Sequence, residues 1–263
     1  IIGSNNKGAI YRAKAGSAKA AIWLDPAKTG MRTVLGVYAD DASNTLYVCS
    51  ASPYGQPRQA EFSALRTFDL KTGAAKASYP MIDPDKAVCN DIAIDKDGAA
   101  FITDTAGGRV MKLAKGAPAL SVWFQDDRLE GIDGIAFGDR GLYVNTVGTS
   151  RLFRIEKRAD GTAGALTELT PSLPLKGPDG LRALGGEKFL MAESTPTSGR
   201  VSEVTITGDK AELRVLTNDA PGVTAIARIG DRVWVNRAKF GYRKGPLQGQ
   251  SPEPFVEYVI PYR

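Results

Sequence analysis

One stretch of the chain, residues 89–105, decides the fold and reads CNDIAIDKDGAAFITDT. Ile92 and Ile94 alternate with small or acidic residues, which is the period of a β-strand with one buried face. The Asp97-Gly98 pair that follows is a hairpin-turn signal, because glycine adopts positive φ without steric cost. A second apolar run then begins a returning strand. The stretch therefore predicts a β-hairpin.

The same pattern recurs along the chain at a nearly constant spacing. Its clearest copies start at Asn90, Asp133 and Asp179, about 43 to 46 residues apart, and weaker copies lie near Leu35 and Thr224. Further short strands follow each hairpin, so a repeat has the length and strand content of one propeller blade. We predict an all-β fold, a six-bladed β-propeller of four-stranded antiparallel blades. The alternative, an array of β-sandwich domains, is disfavoured because one repeat is too short for a sandwich.

The whole chain, residues 1–263, is predicted to form a single propeller domain whose first blade is incomplete at the N-terminus. Residues 8–13 and 20–24 match the third and fourth strands of later repeats. The chain thus starts part-way through a blade, either because it is processed or truncated or because another segment fills the gap. A strand at 255–261, after a Pro- and Gly-rich loop at 241–254, is expected to complete the ring.

Composition excludes several classes of function. The net charge is +5, from 34 basic and 29 acidic residues that are scattered, so nothing indicates a nucleic-acid partner. The sequence has no stretch of 18 apolar residues and therefore predicts no transmembrane helix. Histidine is absent, which excludes histidine-containing triads, histidine-ligated zinc and histidine general bases. We expect a monomer that acts on a small-molecule substrate.

The two cysteines, Cys49 and Cys89, are expected near the same end of adjacent blades. A disulfide between them would suit an exported protein. The alternative is two free thiols, because cysteine is among the most buried residue types. The expected location is periplasmic or secreted, with a cytoplasmic one as the alternative. An insertion at 52–59, rich in Pro and Gly, is expected over the channel mouth as a lid, or as a disordered surface loop.

Oxygen-bearing side chains occupy the first position of three predicted innermost strands, at Asn90, Asp133 and Asp179. Two carboxylates that converge on a channel mouth repel each other unless a cation neutralises them. Oxygen ligands without histidine or thiolate favour Ca²⁺, or Mg²⁺ as the second choice. Taken singly, each residue also fits ordinary turn chemistry. The ends of the second strands add further polar residues to the rim: Asp104, Asn145, Glu193 and Asn236.

Short motifs in these repeats resemble those of one known family. They are Asn90-Asp91 with Asp95-x-x-Gly98, Asp133-Gly134 before Leu142-Tyr143-Val144, and Pro178-Asp179-Gly180-Leu181. The sequence resembles the regucalcin/gluconolactonase (senescence marker protein) group of six-bladed propellers over most of its length. The resemblance implies one divalent cation, usually Ca²⁺, at the top of the central channel, and a metal-dependent hydrolase of the lactonase type.

The family motifs match residue by residue only in part. Asp179 matches the aspartate of the family's Pro-Asp-Gly motif, and Asn90 matches an asparagine that lies beside the metal and the substrate. Asp133 stands where the family has the asparagine of Pro-Asn-Gly. The family's Glu-Gly-Pro motif, which supplies another ligand, is missing from this sequence.

Together, these considerations give a set of candidate site residues. The predicted metal ligands are Asp179, Asp133 and Asn90, the predicted catalytic residues are Asp179 and Asp133, and the predicted substrate-binding residues are Asn90, Asn145 and Glu193. The missing glutamate favours the alternative, a non-catalytic propeller that binds a protein or a small ligand through its top-face loops, since a fold does not fix a function.

Overall fold

The computed structural model describes residues 1–14, 16–17, 19–53, 55–195, 198–239 and 258–262. The strands are β1 (Ile2–Gly3), β2 (Ile10–Arg12), β3 (Ala21–Leu24), β4 (Thr33–Asp40), β5 (Thr45–Ala51), β6 (Ala64–Asp69), β7 (Ala75–Pro80), β8 (Cys89–Ile94), β9 (Ala100–Asp104), β10 (Arg109–Leu113), β11 (Ser121–Gln125), β12 (Ile132–Gly138), β13 (Gly141–Thr146), β14 (Arg151–Lys157), β15 (Ala163–Glu168), β16 (Thr170–Pro171), β17 (Pro178–Gly185), β18 (Lys188–Ser194), β19 (Gly199–Thr207), β20 (Lys210–Thr217), β21 (Val223–Ile229), β22 (Arg232–Arg237) and β23 (Tyr258–Pro261). The described helices are α1 (Pro26–Thr29) and two short 3₁₀ segments, Ala60–Phe62 and Asp127–Leu129.

These strands form six sheets, which confirms the predicted all-β, six-bladed β-propeller. In hydrogen-bonded order, sheet I is β1-β2-β3, sheet II is β4-β5-β6-β7, sheet III is β11-β10-β9-β8, sheet IV is β12-β13-β14-β15, sheet V is β16-β20-β19-β18-β17 and sheet VI is β21-β22-β23. The innermost strands of the predicted repeat correspond to β4, β8, β12, β17 and β21.

Two sheets depart from the regular four-stranded blade. Sheet V gains a fifth strand, because β16 pairs in parallel with β20 through Thr170 and Lys210. The tail strand β23 pairs with β22, with Trp234 opposite Val259, so it is the third strand of sheet VI. This pairing lies within the last repeat, 221–263, and the completion of the ring by the tail stays a prediction. The loop predicted at 241–254 and the start of the tail strand, 255–257, lie outside the described residues.

The chain divides into two compact units. The first comprises Ile1–Phe137 and Arg158–Ala163, and the second comprises Gly138–Lys157 and Gly164–Arg263. Sheets I, II and III belong to the first unit, and sheets V and VI belong to the second. The single domain over residues 1–263 stays a prediction.

In the first unit, both faces of β5 are buried, and alternate residues pack on different neighbours. Leu46 and Val48 belong to an apolar cluster with residues of sheet I, whereas Tyr47 and Cys49 belong to a cluster with residues of sheet III. A strand turns successive side chains to opposite faces, so a strand that is buried on both sides reads as a continuous apolar run. The second unit repeats this arrangement in β18, where Leu190 packs among residues of sheet VI.

The turn predicted from Asp97-Gly98 is present in sheet III. Gly98 has a φ of 84°, and the Asp95 carboxylate accepts hydrogen bonds from the backbone N–H groups of Asp97 and Ala99, at 2.9 and 2.8 Å. The aspartate thus holds a conformation that glycine enters at little steric cost. The insertion at 52–59 lies between β5 and β6 as predicted, with Tyr54 outside the described residues.

Candidate functional site

The innermost strands share an irregularity at their first residues. The pairing register slips between Val34 and Val37 in β4, between Cys89 and Ile92 in β8, between Pro178 and Leu181 in β17, and between Val223 and Ala225 in β21. Such a β-bulge adds a residue to one strand and redirects its side chains. The predicted site residues Asn90 and Asp179 lie inside two of these bulges. The side-chain directions of Asn90 and Asp179 therefore do not follow the regular in–out alternation of β8 and β17.

In the first unit, Asn90 is half-buried, and its side-chain nitrogen donates a hydrogen bond of 2.8 Å to the hydroxyl of Thr105. Since the amide nitrogen takes this contact, the carbonyl oxygen is the part of the side chain that can act as a ligand.

Asp133 follows in β12 and is 8% exposed. Its backbone carbonyl accepts a hydrogen bond of 2.7 Å from the hydroxyl of Thr103, which is fully buried. The same hydroxyl accepts a bond of 2.9 Å from the backbone N–H of Asp91. One threonine of sheet III thus connects the main chain at two of the predicted ligands, Asn90 and Asp133.

In the second unit, the equivalent contact is made by Asn145. Its side-chain nitrogen donates a hydrogen bond of 2.7 Å to the backbone carbonyl of Asp179, and its side chain is fully buried. Asn145 was predicted to bind substrate. The structure places it against the main chain of a predicted ligand, and a role in substrate binding stays a prediction.

Glu193, the other predicted substrate-binding residue of the second unit, lies in a buried ion pair with Arg200. Its side chain is 1% exposed, and its two oxygens lie 2.6 and 2.7 Å from Nε and Nη2 of Arg200. The backbone N–H of Lys176 donates a further bond of 2.8 Å. Contact with substrate stays a prediction for Glu193.

Sheet III contains a similar ion pair. The fully buried Asp104 lies 2.8 Å from Nε of Arg109 and accepts a bond of 2.8 Å from the backbone N–H of Val88. Sequence reasoning missed both arginines as partners. The signal was present, because Gly108-Arg109 and Gly199-Arg200 begin equivalent third strands.

The four rim residues predicted from the sequence occupy two different positions. Asp104 pairs with Arg109 and Glu193 pairs with Arg200, so these two carboxylates are equivalent. Asn145 is opposite Leu152, one position earlier, and it aligns with Thr103, which is opposite Val110. Asn236, opposite Ala225, also takes the earlier position. Neighbouring residues of a strand point to opposite faces of the sheet. The predicted rim residues therefore lie on two faces, with Asp104 and Glu193 on one and Asn145 and Asn236 on the other.

The cysteines form a disulfide. Cys49 and Cys89 are bonded with their Cα atoms 5.0 Å apart, and both are fully buried. The bond joins sheet II to sheet III and decides between the two alternatives left open by the sequence. Cys89 immediately precedes Asn90, so this bond also holds the main chain next to a predicted ligand.

Asn90 and Asp133 belong to the first unit and Asp179 to the second. Within the described ranges, no group of three or more His, Cys, Asp or Glu side chains could hold a metal ion. The predicted set differs in kind, because it combines one amide oxygen with two carboxylates. With both cysteines bonded, its donors are hard oxygens, which fits Ca²⁺ or Mg²⁺. No helix in the described part of the chain is long and apolar enough to cross a membrane.

Neither a protein-family model nor a curated protein matches the chain. Solved structures do match. A chain of a nidogen/laminin complex is 17% identical, with a TM-score of 0.65 over 89% of this chain and 84% of that one. The calcium-binding protein regucalcin from Agrobacterium tumefaciens is 16% identical, with a TM-score of 0.63 over 98% and 85%. A gluconolactonase from Xanthomonas campestris is 18% identical, with a TM-score of 0.60 over 92% and 75%.

At these identities the likeness establishes the fold alone. The chain is a six-bladed β-propeller. It is structurally similar to propellers described as a gluconolactonase and as a calcium-binding protein, and also to a chain of the nidogen/laminin complex. What the protein does is therefore argued from its own residues.

Proposed function

We propose that this protein is a divalent-cation-dependent hydrolase that opens lactone rings, with Asn90, Asp133 and Asp179 as the ligands of Ca²⁺ or Mg²⁺. One observation carries the proposal. These three oxygen-bearing residues take the same position in successive repeats. A bond from the preceding sheet ends at each of them or at its neighbour: the disulfide at Cys89, and hydrogen bonds at the backbone carbonyls of Asp133 and Asp179. Ligands that must keep a fixed geometry need such support.

The chemistry follows from the side chains that the chain offers. A bound divalent cation would polarise the lactone carbonyl and lower the pKa of a bound water. Asp133 and Asp179 supply the negative charge that holds the cation. Since the chain has no histidine, one of these carboxylates also accepts the proton of the attacking water. Water adds to the carbonyl carbon, the ring C–O bond breaks, and the carboxylate passes its proton to the departing ring oxygen, so the product is a hydroxy acid.

The surroundings of the site extend the proposal. Asn90 presents its carbonyl oxygen because its amide nitrogen is bonded to Thr105. Asn90 contacts the substrate, a small molecule, and the protein works as a monomer. The disulfide between Cys49 and Cys89 supports a periplasmic or secreted location, because such bonds persist in oxidising compartments.

The test is the variant Asp179→Asn, which keeps the shape of the side chain and removes its charge. In the wild type, Ca²⁺ at 100 times its Kd raises the free energy of unfolding by about 2.7 kcal/mol. We expect the variant to lose this stabilisation, together with at least about 100-fold in kcat/KM on sugar and alkyl lactones, because a cation ligand is also part of the reacting site.

The matched control is Asp231→Asn, which changes an aspartate of the same unit whose side chain is 89% exposed. It should keep both the Ca²⁺ effect and the turnover. Full turnover in Asp179→Asn contradicts the proposal.

The second candidate function is a non-catalytic propeller that binds a protein through its top-face loops. It is favoured by the residues at the same position in sheets II and VI, Leu35 and Thr224, which carry no carboxylate. It is also consistent with the likeness to a chain of the nidogen/laminin complex. Under this alternative, neither Ca²⁺ nor a chelator changes the melting temperature, and no lactone is hydrolysed.

A further inference from the structure

One position near the end of the second strand recurs in the six sheets. In sheets I to V it lies opposite Ile10, Leu65, Val110, Leu152 and Val201 of the third strands, and it borders the innermost strand of the next sheet. The residues at this position in sheets I to V are Gly3, Cys49, Thr103, Asn145 and Ala192, and in sheet VI the position is taken by Asn236.

Three of these residues bond to the next sheet. Cys49 forms the disulfide with Cys89, beside Asn90. The Thr103 hydroxyl donates to the backbone carbonyl of Asp133, and the Asn145 amide donates to the backbone carbonyl of Asp179, both at 2.7 Å. Each bond therefore ends at, or next to, one of the three proposed ligands.

The other two residues of sheets I to V have no side-chain group that could make such a bond. Gly3 lies beside Leu35, and a Cβ atom built on it would be 3.3 Å from the Leu35 carbonyl oxygen. Ala192 packs its methyl group in an apolar cluster that contains Val223, the residue before Thr224. Leu35 and Thr224 occupy the ligand position in their sheets and are not proposed ligands. The bonds are thus made where a ligand follows.

We infer that Thr103 and Asn145 are positioning residues of the cation site, and that they set the main chain from which the ligands project. This inference rests on the proposed function. Thr103 links the residue after Asn90 to Asp133, because its hydroxyl accepts from the N–H of Asp91 and donates to the carbonyl of Asp133. Both hydrogen bonds are buried, so water does not replace the lost partner when the hydroxyl is removed.

The experiment compares Thr103→Val with Thr103→Ser by calorimetric titration of the full chain with CaCl₂ and MgCl₂. Valine has the shape of threonine without its hydroxyl, whereas serine keeps the hydroxyl. Loss of the groups that orient metal ligands typically lowers metal affinity 10- to 100-fold. We expect the Kd for Ca²⁺ to rise about 10- to 100-fold in Thr103→Val and to stay within about threefold of wild type in Thr103→Ser.

The matched control is Thr67→Val in β6. Thr67 is also buried, but its hydroxyl donates to Ala77 of its own sheet. Its loss should leave the Kd unchanged, so a rise that is specific to Thr103 separates positioning from a general loss of buried hydroxyls. Asn145→Leu is a second variant that tests the same inference in the second unit, should Thr103→Val fail to fold.

The outcomes are distinguishable. If the wild type binds Ca²⁺ and Thr103→Val or Asn145→Leu binds it equally tightly, the inference is overturned and the proposed function stands. If the wild type binds neither Ca²⁺ nor Mg²⁺, the proposed function is overturned, and this inference with it.

Discussion

Thr103 and Asp104 are neighbours in one strand, yet they act in opposite directions. Thr103 reaches the next sheet and bonds to the main chain of Asp133, whereas Asp104 turns back to Arg109 of its own sheet. The second unit repeats the division, with Asn145 bonded to the next sheet and Glu193 bonded within its own. One face of the strand end therefore bonds to the next sheet, and the other face bonds within its own blade.

The largest effect is expected from the buried ion pair of the second unit. Glu193→Ala leaves Arg200, whose side chain is 16% exposed, without its carboxylate, which should lower the free energy of unfolding by about 3–5 kcal/mol in a urea titration. The double variant Glu193→Leu/Arg200→Met should regain most of this loss, since it leaves no unpaired charge. The Ca²⁺ affinity of the folded protein should be unchanged.

The opposite result would break the comparison. If Glu193→Ala keeps its stability and instead raises KM for a lactone, Glu193 belongs to the substrate site that the sequence predicted, and the two faces of the strand end are not separate in role.

An intermediate effect is expected from the covalent bond between sheets II and III. Cys49→Ala/Cys89→Ala should lower the free energy of unfolding by about 2–4 kcal/mol, because the disulfide closes a segment of 40 residues. Cys49→Thr/Cys89→Ala sharpens the comparison, since it copies Thr103 at the equivalent position. A new hydrogen bond to the next sheet should restore about 1 kcal/mol. Equal stability of the two variants would show that the position does not support such a bond.

The smallest effect is expected from a pair with an exposed arginine, Glu203 with Arg214. Burial alone would raise the pKa of Glu203, but hydrogen bonds from Arg214 and Tyr262 outweigh it and hold the pKa below its usual value. A lowered pKa stabilises the folded state above the unfolded pKa of about 4.3, and this stability is lost as the pH falls through the folded pKa.

The measurement is the urea midpoint between about pH 6 and pH 3 for wild type and Glu203→Gln. Wild type should lose up to about 1 kcal/mol more than the variant below about pH 4.5, because half of the Arg214 side chain is exposed and the pair is weak. If the urea midpoints of the two proteins fall equally as the pH is lowered, the pair of Glu203 and Arg214 does not contribute to stability.

The fold was predictable because its signals are local and repeated. Alternation around Asp97-Gly98 defines a hairpin, and its recurrence defines the blades. The same recurrence places Asn90 and Asp179 at matching positions of their strands, and their role as ligands stays a prediction. What alternation does not reveal is a bulge, which changes the face of every later residue by one position. The sequence pattern therefore groups the predicted rim residues on one face, although Asn145 and Glu193 face opposite sides of the strand ends.

Partners that are distant in sequence were harder to predict. Arg200 was visible only as the first residue of a third strand, and nothing local indicates that Glu193 turns toward it. The disulfide was left open for a similar reason, because the distance between Cys49 and Cys89 depends on how two sheets pack. The partner of the tail strand also depends on packing that the local sequence does not show: β23 pairs with β22, the strand that precedes it in sheet VI.

The disulfide also determines what happens when the chain is cleaved by a protease between the two cysteines. Cys49 and Cys89 flank the insertion at 52–59, whose described residues from 55 to 59 are exposed. Exposed loops are where proteases cut. A nick in this loop leaves both fragments joined through sulfur, so sheets II and III remain in one molecule until the bond is reduced. The loop that the sequence marks as an insertion is thus a place where the chain can be opened without being divided.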